Sequence, residues 1–212
     1  MFGIKTKLVK IFKSLLNSTG IWNHKYLFIL SPPFCGSTLL NEILCTSPAV
    51  SVNHKNGTRE GQKLSEVRAI MFAHDRRWDE SLDFDWPFIK KEWMKYWSPF
   101  APVWLEKSPP NIIRAQSIAH HFTPAYFIVL HRNPYAHCES LMRRKKKKRK
   151  GKELISATEA AHFAIQCLNY QKRNIEELDR VIQISYEDLI EQPQIVARNI
   201  ICLLYTSPSP RD

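Results

Sequence analysis

A short stretch near the start of the chain, Tyr26 to Leu44, has the residue types of a strand, a phosphate-binding loop and a helix: YLFILSPPFCGSTLLNEIL. Gly36 permits a tight turn, and the amides of Gly36, Ser37 and Thr38 can donate to a phosphate group. The common nucleotide-binding loop continues with Gly-Lys-Ser/Thr, whose lysine reaches the β- and γ-phosphates and whose hydroxyl holds magnesium. Here Gly36 is followed directly by Ser37. An ATPase or a nucleotide kinase is therefore disfavoured, and with it a magnesium site.

Two more groups that suggest chemistry follow apolar runs of strand length. Lys107 comes shortly after the run Val103–Leu105, and Arg132 comes shortly after the run Tyr126–Leu130, with Ser140 eight residues further on. Parallel strands bring their carboxyl ends to one edge of a sheet, where ligands bind. An arginine at a strand end and a serine on the following helix can then converge on a second phosphate.

The apolar runs predict the sheet that would position these groups. Each run is continuous rather than alternating, which is typical of strands buried on both faces of a parallel sheet. Further runs occur at Val181–Ile184 and, shorter, near Val50–Val52. Helical patterns lie at Ser37–Cys45, Asn111–His121, Pro134–Arg144 and Glu153–Leu178, the last of which is long enough for two helices. Strands that alternate with helices predict a three-layer α/β/α fold with a central parallel sheet.

Five of the six tryptophans lie between Trp78 and Trp104. Trp86, Trp93 and Trp97 have near-helical spacing, which predicts a helix with one aromatic face. Such a face either packs on the sheet, the interpretation that the pattern favours, or offers a stacking platform for an acceptor such as a sugar.

The net charge of +11 comes from one segment of the chain. Arg143 to Lys150 is an unbroken run of eight basic residues, and Lys152 adds a ninth. Removing these nine from the 31 lysines and arginines leaves 22 against 20 acidic residues, so the rest of the chain is nearly neutral. The run predicts a solvated helical extension or, alternatively, a surface that attracts a polyanion or an acidic membrane. Nothing else in the sequence favours nucleic-acid recognition.

The composition divides the chain into three parts. Residues 1–25 are expected to form a basic helical extension that packs on the domain, lies on a membrane surface or acts in targeting, because they lack the roughly twenty apolar residues of a membrane span. Residues 26–201 are expected to form one domain. Cys202 to Asp212 (CLLYTSPSPRD) resembles translated sequencing adapter, so we expect a non-native tail on a truncated domain. The other cysteines show no metal-ligand spacing, which favours a reducing compartment such as the cytoplasm.

Four segments carry a resemblance to a known family: SPPFCGSTLL, LEKSPPN, FIVLHRNPYAHCES and ISYEDLIEQP. Their order and approximate spacing are similar to those of the sulfotransferases that use 3′-phosphoadenosine 5′-phosphosulfate (PAPS). The resemblance covers roughly residues 26–201 and implies a sulfotransferase fold of the P-loop NTPase type. It also implies transfer of a sulfuryl group from PAPS, as a co-substrate and without a metal, to a hydroxyl or amine of an acceptor.

The resemblance assigns the donor-binding residues by position. In the family, the first loop holds the 5′-phosphosulfate, and the arginine and serine of an Arg-x7-Ser pattern hold the 3′-phosphate. The matching positions are Phe34, Cys35, Gly36, Ser37 and Thr38 for the loop, and Arg132 and Ser140 for the 3′-phosphate. A single 5′-phosphosulfate needs amides and hydroxyls rather than a triphosphate lysine, which accounts for the composition of the loop.

One position departs from the family pattern. Many members carry Lys or Arg two residues before the loop glycine, where this chain has Phe34. Sulfuryl transfer depends on charge stabilisation, so we expect another cation to replace it. Our candidate is Lys107, because its segment is similar to the Glu-Lys-Ser/Thr-Pro segment of heparan and related carbohydrate sulfotransferases. Without such a cation, the chain would be an inactive binding or scaffold module.

A general base must accept the proton that the acceptor loses. Glu60, in the segment NGTREGQ, resembles the catalytic glutamate of protein-tyrosine sulfotransferases by its order along the chain, and the alternative is a solvent-exposed loop carboxylate. The other candidate bases are Glu106, His54, His131 and His137, of which the last two are expected to pack or cap locally.

Overall fold

A computed structural model of the protein describes residues 23–72, 76–148 and 155–205, with only the backbone described at 144–148. Within these residues, five parallel strands form one sheet in the order β2-β3-β1-β4-β5. The strands are β1 (Lys25–Leu30), β2 (Val50–Val52), β3 (Val103–Glu106), β4 (Ala125–His131) and β5 (Val181–Ser185). All of them lie where the apolar runs predicted strands, so the predicted parallel sheet is confirmed.

Helices cover both faces of the sheet, which confirms the predicted three-layer α/β/α arrangement. In the described part of the chain they are α1 (Ser37–Leu44), α2 (Arg68–Met71), α3 (Trp86–Met94), α4 (Ala115–His121), α5 (Pro134–Lys148), α6 (Ala157–Glu177), α7 (Tyr186–Glu191) and α8 (Pro193–Tyr205), with 3₁₀ turns at Gly61–Lys63 and Pro109–Ile113. Side chains of α3, α4 and α6 pack on one face, and those of α1, α7 and α8 pack on the other.

The pattern predicted as one helix at Asn111–His121 forms two elements. A 3₁₀ turn at Pro109–Ile113 precedes α4, and Arg114 leaves helical geometry between them, with φ −121° and ψ 17°. The buried guanidinium of Arg114 donates to backbone carbonyls in the segment 76–79. At this junction, Arg114 holds the loop 76–79 in place, and the chain does not continue as one helix.

The long pattern predicted at Glu153–Leu178 contains a single described helix, α6, rather than two. It begins at Ala157 because Ser156 and Glu159 form a capping box. The Ser156 hydroxyl accepts from the Glu159 amide at 3.1 Å, and the Glu159 carboxylate accepts from the Ser156 amide at 2.7 Å. This reciprocal pair satisfies two amides that a helix start otherwise leaves without partners.

The side chains of β1 divide the core in two, because successive residues of a strand point to opposite faces of the sheet. Tyr26, Phe28 and Leu30 contact the aromatic side, whereas Leu27 and Ile29 contact the side of α1, α7 and α8. Burial on both faces explains why this strand reads as a continuous apolar run.

The tryptophans pack on the sheet, as the favoured interpretation of their spacing predicted. Trp86, Trp93, Trp97 and Trp104 are at most 1% exposed. The rings of Trp97 and Trp104 stack with their centroids 5.1 Å apart, and their indole N–H groups donate to backbone carbonyls at 3.0 and 2.9 Å. All four rings are therefore packed in the core and cannot stack on a ligand. The alternative of an acceptor-stacking platform is therefore wrong for these four rings.

The two ends of the chain lie partly outside the described residues. The predicted helical extension falls mostly on residues 1–22, which the structure does not describe, and Lys25 already belongs to β1. At the other end, α8 includes residues 202–205, whereas 206–212 lie outside the described residues, and the adapter origin of 202–212 stays a prediction. None of the helices described here is long and apolar enough to cross a membrane.

Replacing Trp93 with alanine tests the aromatic packing. Its side chain is completely buried, so we expect Trp93→Ala to lower the free energy of unfolding by about 3–5 kcal/mol. Phe100→Ala is the control, because that ring is 75% exposed and its loss should change stability by less than about 0.5 kcal/mol. Urea denaturation measures both variants. Equal, small losses in the two variants would contradict the packed arrangement.

Candidate active site

A cleft of about 450 Å³ opens at the carboxyl ends of the strands. Every strand contributes to its wall through the segment that follows it: the loop after β1, the turn after β2, Lys107 after β3, Arg132 after β4 and Tyr186 after β5. Eight of the nine predicted site residues line this cleft, namely Phe34, Gly36, Ser37, Thr38, Glu60, Lys107, Arg132 and Ser140. The sheet edge that the sequence indicated therefore brings these side chains to one place.

Cys35 and four of the five candidate bases, His54, His131, His137 and Glu106, are not among the residues that line the cleft. The Cys35 side chain is buried, and burial raises the pKa of its thiol to about 12, so this position can contribute to ligand binding only through its backbone. His137 is also buried, its Nε2 lies 2.9 Å from the Pro33 carbonyl, and burial lowers its pKa. His137 therefore packs against the loop, as predicted. His54 and His131 do not line the cleft.

Gly36 gives the loop its shape. Its φ of +90° is a left-handed conformation that favours glycine, and an added Cβ would lie 2.2 Å from the ring of Tyr186. No side chain caps α1, so the amides of Ser37 and Thr38 in its first turn lack intrahelical partners. The positive end of the helix dipole adds to their attraction for an anion. The geometry of the loop suits it to binding an anion and disfavours any larger residue at position 36.

Arg132 joins the loop to helix α5. Its Nη1 donates to the Phe34 carbonyl and to Ser140 Oγ, both at 3.2 Å. Phe34 has a φ of +68°, which is strained for a residue other than glycine. The guanidinium carbon lies 4.6 Å from the centroid of the Tyr186 ring, and Nε is buried with no hydrogen-bond partner among the described residues. The guanidinium is held in place and still has donor capacity for an anion.

Lys107 is a cation with only 2% of its surface exposed. Its ammonium group donates to Thr38 Oγ1 at 3.3 Å and to the Thr58 carbonyl, and Nζ lies 3.9 Å from Oε1 of Glu60. Burial lowers the pKa of Lys107, while the carboxylates of Glu60 and Glu106 oppose that shift. The positive charge of Lys107 therefore lies against the loop after β1, which has no cation of its own.

Glu60 is the only acid among the described residues that line the cleft. Its Oε2 lies 3.3 Å from Nζ of Lys63 and 3.7 Å from Nη2 of Arg77. Burial acts to raise the pKa of Glu60, but a hydrogen bond from Thr58 and the charges of Lys107 and Lys63 together hold it below its ordinary value. The side chain is 7% exposed, so the alternative of a solvent-exposed loop carboxylate is wrong. Glu60 is ionised at neutral pH and faces the cleft from among cations.

Glu106, the remaining alternative base, is fully buried and does not line the cleft. Its Oε1 accepts from the Gly61 amide at 3.0 Å and from Ser108 Oγ at 2.6 Å, and Oε2 accepts from the Asn111 side chain. Ser108 Oγ in turn accepts from the Gln62 amide at 3.1 Å. Burial raises the pKa of Glu106 to about 7. This carboxyl group therefore connects β3 to the turn that follows Glu60. It does not face the cleft.

Sequence reasoning missed several residues of the cleft, which include Thr58, Lys63, Phe72, Arg77, Arg143 and Tyr186. Tyr186 carried a usable signal, because it follows β5 directly at the same edge of the sheet as Lys107 and Arg132. Arg77 carried none, because it lies in an irregular segment without a motif. Its backbone is held by Arg114, whose Nη1 donates to the Arg77 carbonyl at 3.1 Å.

Comparison with known proteins identifies the family to which this chain belongs. Residues 27–205 match the sulfotransferase family over most of the described chain. The chain belongs to the sulfotransferase family. A search among curated proteins found no match for this sulfotransferase.

Solved structures with the same fold include three sulfotransferases. The sulfotransferase domain from the curacin biosynthetic pathway is 22% identical, with a TM-score of 0.53, and the match covers 89% of this chain and 76% of that one. The sulfotransferase STF9 from Mycobacterium avium is 15% identical, with a TM-score of 0.59, and the match covers 92% of this chain and 67% of that one. The sulfotransferase from Alicyclobacillus acidocaldarius is also 15% identical, with a TM-score of 0.58, and the match covers 86% of this chain and 81% of that one. The predicted sulfotransferase fold of the P-loop NTPase type is confirmed.

The loop of this sulfotransferase should not tolerate a side chain at position 36. We expect Gly36→Ala to lose at least about 2–3 kcal/mol of stability, because the strain of its backbone adds to a clash with Tyr186. Gly57→Ala is the matched control: its φ is +56°, but an added Cβ meets nothing within 4 Å, so only the backbone strain of about 1 kcal/mol remains. Thermal unfolding compares the two, and equal losses would disprove the steric role of Tyr186.

The buried carboxyl of Glu106 should make stability depend on pH. Its pKa is about 7 in the folded protein against 4.5 as the ordinary value. The folded state therefore binds the extra proton, and stability falls as the pH rises from about 4.5 to 7, by about 3 kcal/mol. Glu106→Gln should remove this slope when urea denaturation is repeated across that range. Glu60→Gln is the control and should keep this slope, because the lowered pKa of Glu60 contributes stability that is lost only as the pH falls below about 4.5. An unchanged slope in Glu106→Gln would refute the assignment.

Proposed function

We propose that this sulfotransferase moves a sulfuryl group from PAPS to a hydroxyl or amine of an acceptor. The observation that carries the proposal is the placement of two cations on either side of one anion-binding loop. Lys107 bonds to Thr38 at the helix end of the loop, and Arg132 bonds to the Phe34 carbonyl at its start. PAPS carries negative charge at two separate positions, the 3′-phosphate and the 5′-phosphosulfate, so the arrangement supports it as the donor.

The residues of the cleft fit PAPS. The amides of Gly36, Ser37 and Thr38 would bind the 5′-phosphosulfate, because they lie at an uncapped helix start. Arg132 and Ser140 would bind the 3′-phosphate, since both line the cleft and Nη1 of Arg132 lies 3.2 Å from Ser140 Oγ. An arginine can supply two parallel hydrogen bonds to such a group.

Lys107 and Glu60 would have different roles in the transfer. PAPS supplies an activated sulfuryl group, which leaves a phosphate oxygen and bonds to the acceptor. Lys107 would stabilise the negative charge that develops on the leaving oxygen, a role that the apolar side chain of Phe34 cannot take. Glu60 would take the proton that the acceptor oxygen or nitrogen loses. Compensation of charge in this proposal comes from side chains rather than from a metal ion.

Donor binding is the first test of the proposal. Calorimetric titration of 3′-phosphoadenosine 5′-phosphate (PAP), the product of the donor, is carried out without magnesium. We expect Arg132→Ala to weaken PAP binding at least tenfold, because it removes charge-assisted hydrogen bonds. Arg198→Ala, on the exposed side of α8, is the control and should bind PAP normally. Failure of a folded wild-type protein to bind PAP would sink the proposal.

Lys107 separates an enzyme from a binding module. Lys107→Gln should weaken PAP binding only about tenfold, because PAP keeps the 5′-phosphate beside Lys107 but lacks the sulfuryl group, and should lower the rate of transfer more, by about 10²–10³. PAP release from PAPS measures the rate, and circular dichroism checks that the variant folds. Wild-type protein that binds PAP but transfers to none of a range of hydroxyl and amine acceptors would favour the inactive scaffold.

A further inference from the structure

One side of the cleft holds more positive charge than donor binding uses. Lys63 and Arg77 both line the cleft, and both lie against the carboxylate of Glu60, at 3.3 and 3.7 Å. Arg132 instead contacts the loop after β1. Lys107 lies between these groups, because it contacts both the loop and Glu60. Lys63 and Arg77 therefore lie beyond Lys107, on the side that the proposed base shares with the acceptor.

The charges on this side do not balance. When Lys107 serves the donor, Lys63 and Arg77 together face the single carboxylate of Glu60, which leaves one positive charge. The surplus increases when Glu60 takes a proton from the acceptor. Partly buried cations are stable only where an anion or other acceptors compensate them. A wholly apolar acceptor would cover both cations without compensating either.

Arg77 has the geometry of an anion-binding residue. Its guanidinium stacks on Phe72, with 4.8 Å between the guanidinium carbon and the ring centroid. Nε of Arg77 is buried and has no hydrogen-bond partner among the described residues, while its backbone is held by Arg114. Burial lowers the pKa of Arg77, and the charge of Glu60 opposes that shift. A stacked, oriented guanidinium with unused donors is suited to binding two oxygens of a carboxylate or a sulfate ester through parallel hydrogen bonds.

We propose that the acceptor carries a singly charged oxyanion, a carboxylate or a sulfate ester, which Arg77 and Lys63 bind beside the reacting hydroxyl or amine. The inference rests on the proposed function, because it assigns the acceptor side of the same cleft. One surplus positive charge matches one negative charge on the acceptor. The oxyanion would also draw Lys63 and Arg77 away from Glu60, which leaves that carboxylate more able to accept a proton.

Matched pairs of small acceptors test the proposal on the PAP-bound protein. One arm compares N-acetyltyrosine with N-acetyltyrosinamide and glucuronic acid with glucuronamide, and the other compares glucose 6-sulfate with 6-O-methylglucose. Calorimetry measures affinity, and PAP release from PAPS measures turnover. We expect the charged member of the pairs in at least one arm to bind at least about tenfold more tightly than its neutral partner. The two arms show whether the site takes a carboxylate or a sulfate ester.

Variants connect the preference to the two cations. Arg77→Gln and Lys63→Gln should each remove most of the preference and leave PAP affinity unchanged. Arg77→Lys, which keeps the charge without the planar fork, should retain an intermediate preference. Lys172→Gln is the control, because that side chain is 76% exposed and does not line the cleft, so its preference should equal that of the wild type.

The outcomes separate this inference from the proposed function. PAP binding with equal affinity for the charged and neutral members of every pair, including no binding of either, would overturn the inference alone. A preference that survives in both Arg77→Gln and Lys63→Gln would also overturn it. Absence of PAP binding by the wild type would overturn both the proposed function and the inference.

Discussion

The ammonium group of Lys107 is a charge removed from water, and the cleft is organised around the partners that it needs. Burying a lone cation costs several kcal/mol unless nearby groups compensate it. Lys107 follows β3 and finds its partners in Thr38, after β1, and in Thr58 and Glu60, after β2. One charge therefore links the ends of three strands. The separation between the anion-binding loop and the carboxylate is set by the reach of this side chain.

Two neighbouring residues at the end of β3, Glu106 and Lys107, have different surroundings. Side chains alternate across a strand, so Glu106 points into the interior while Lys107 points into the cleft. Glu106 holds the turn at Gly61 and Gln62 through direct and Ser108-mediated hydrogen bonds. That turn fixes the backbone next to Glu60. The carboxylate that faces the cleft is thus positioned by a second carboxyl group that never reaches it.

The extent to which the sequence predicted this structure depended on the kind of interaction. Continuous apolar runs predicted the strands, because burial on both faces leaves a strong local pattern. The loop around Gly36 was predictable for a similar reason, since a tight turn next to a helix start needs a particular residue. Arg77 was not predictable, because its place in the cleft depends on a long-range contact with Arg114. The same contact interrupts the helix predicted at Asn111–His121, where tertiary structure overrides local propensity.

The order of the strands gives the two sides of the cleft unequal mechanical support. The anion-binding loop and Arg132 follow β1 and β4, which have hydrogen-bonded neighbours on both sides. The segment with Glu60 follows β2, an edge strand of three residues that pairs only with β3. Short edge strands belong to the regions of a protein that open below the free energy of global unfolding. In native-state hydrogen exchange, the amides of β2 would therefore lose protection while those of β1 and β4 keep it. Subglobal opening at β2 would displace the segment that carries Glu60, while the loop after β1 and Arg132 would keep their places.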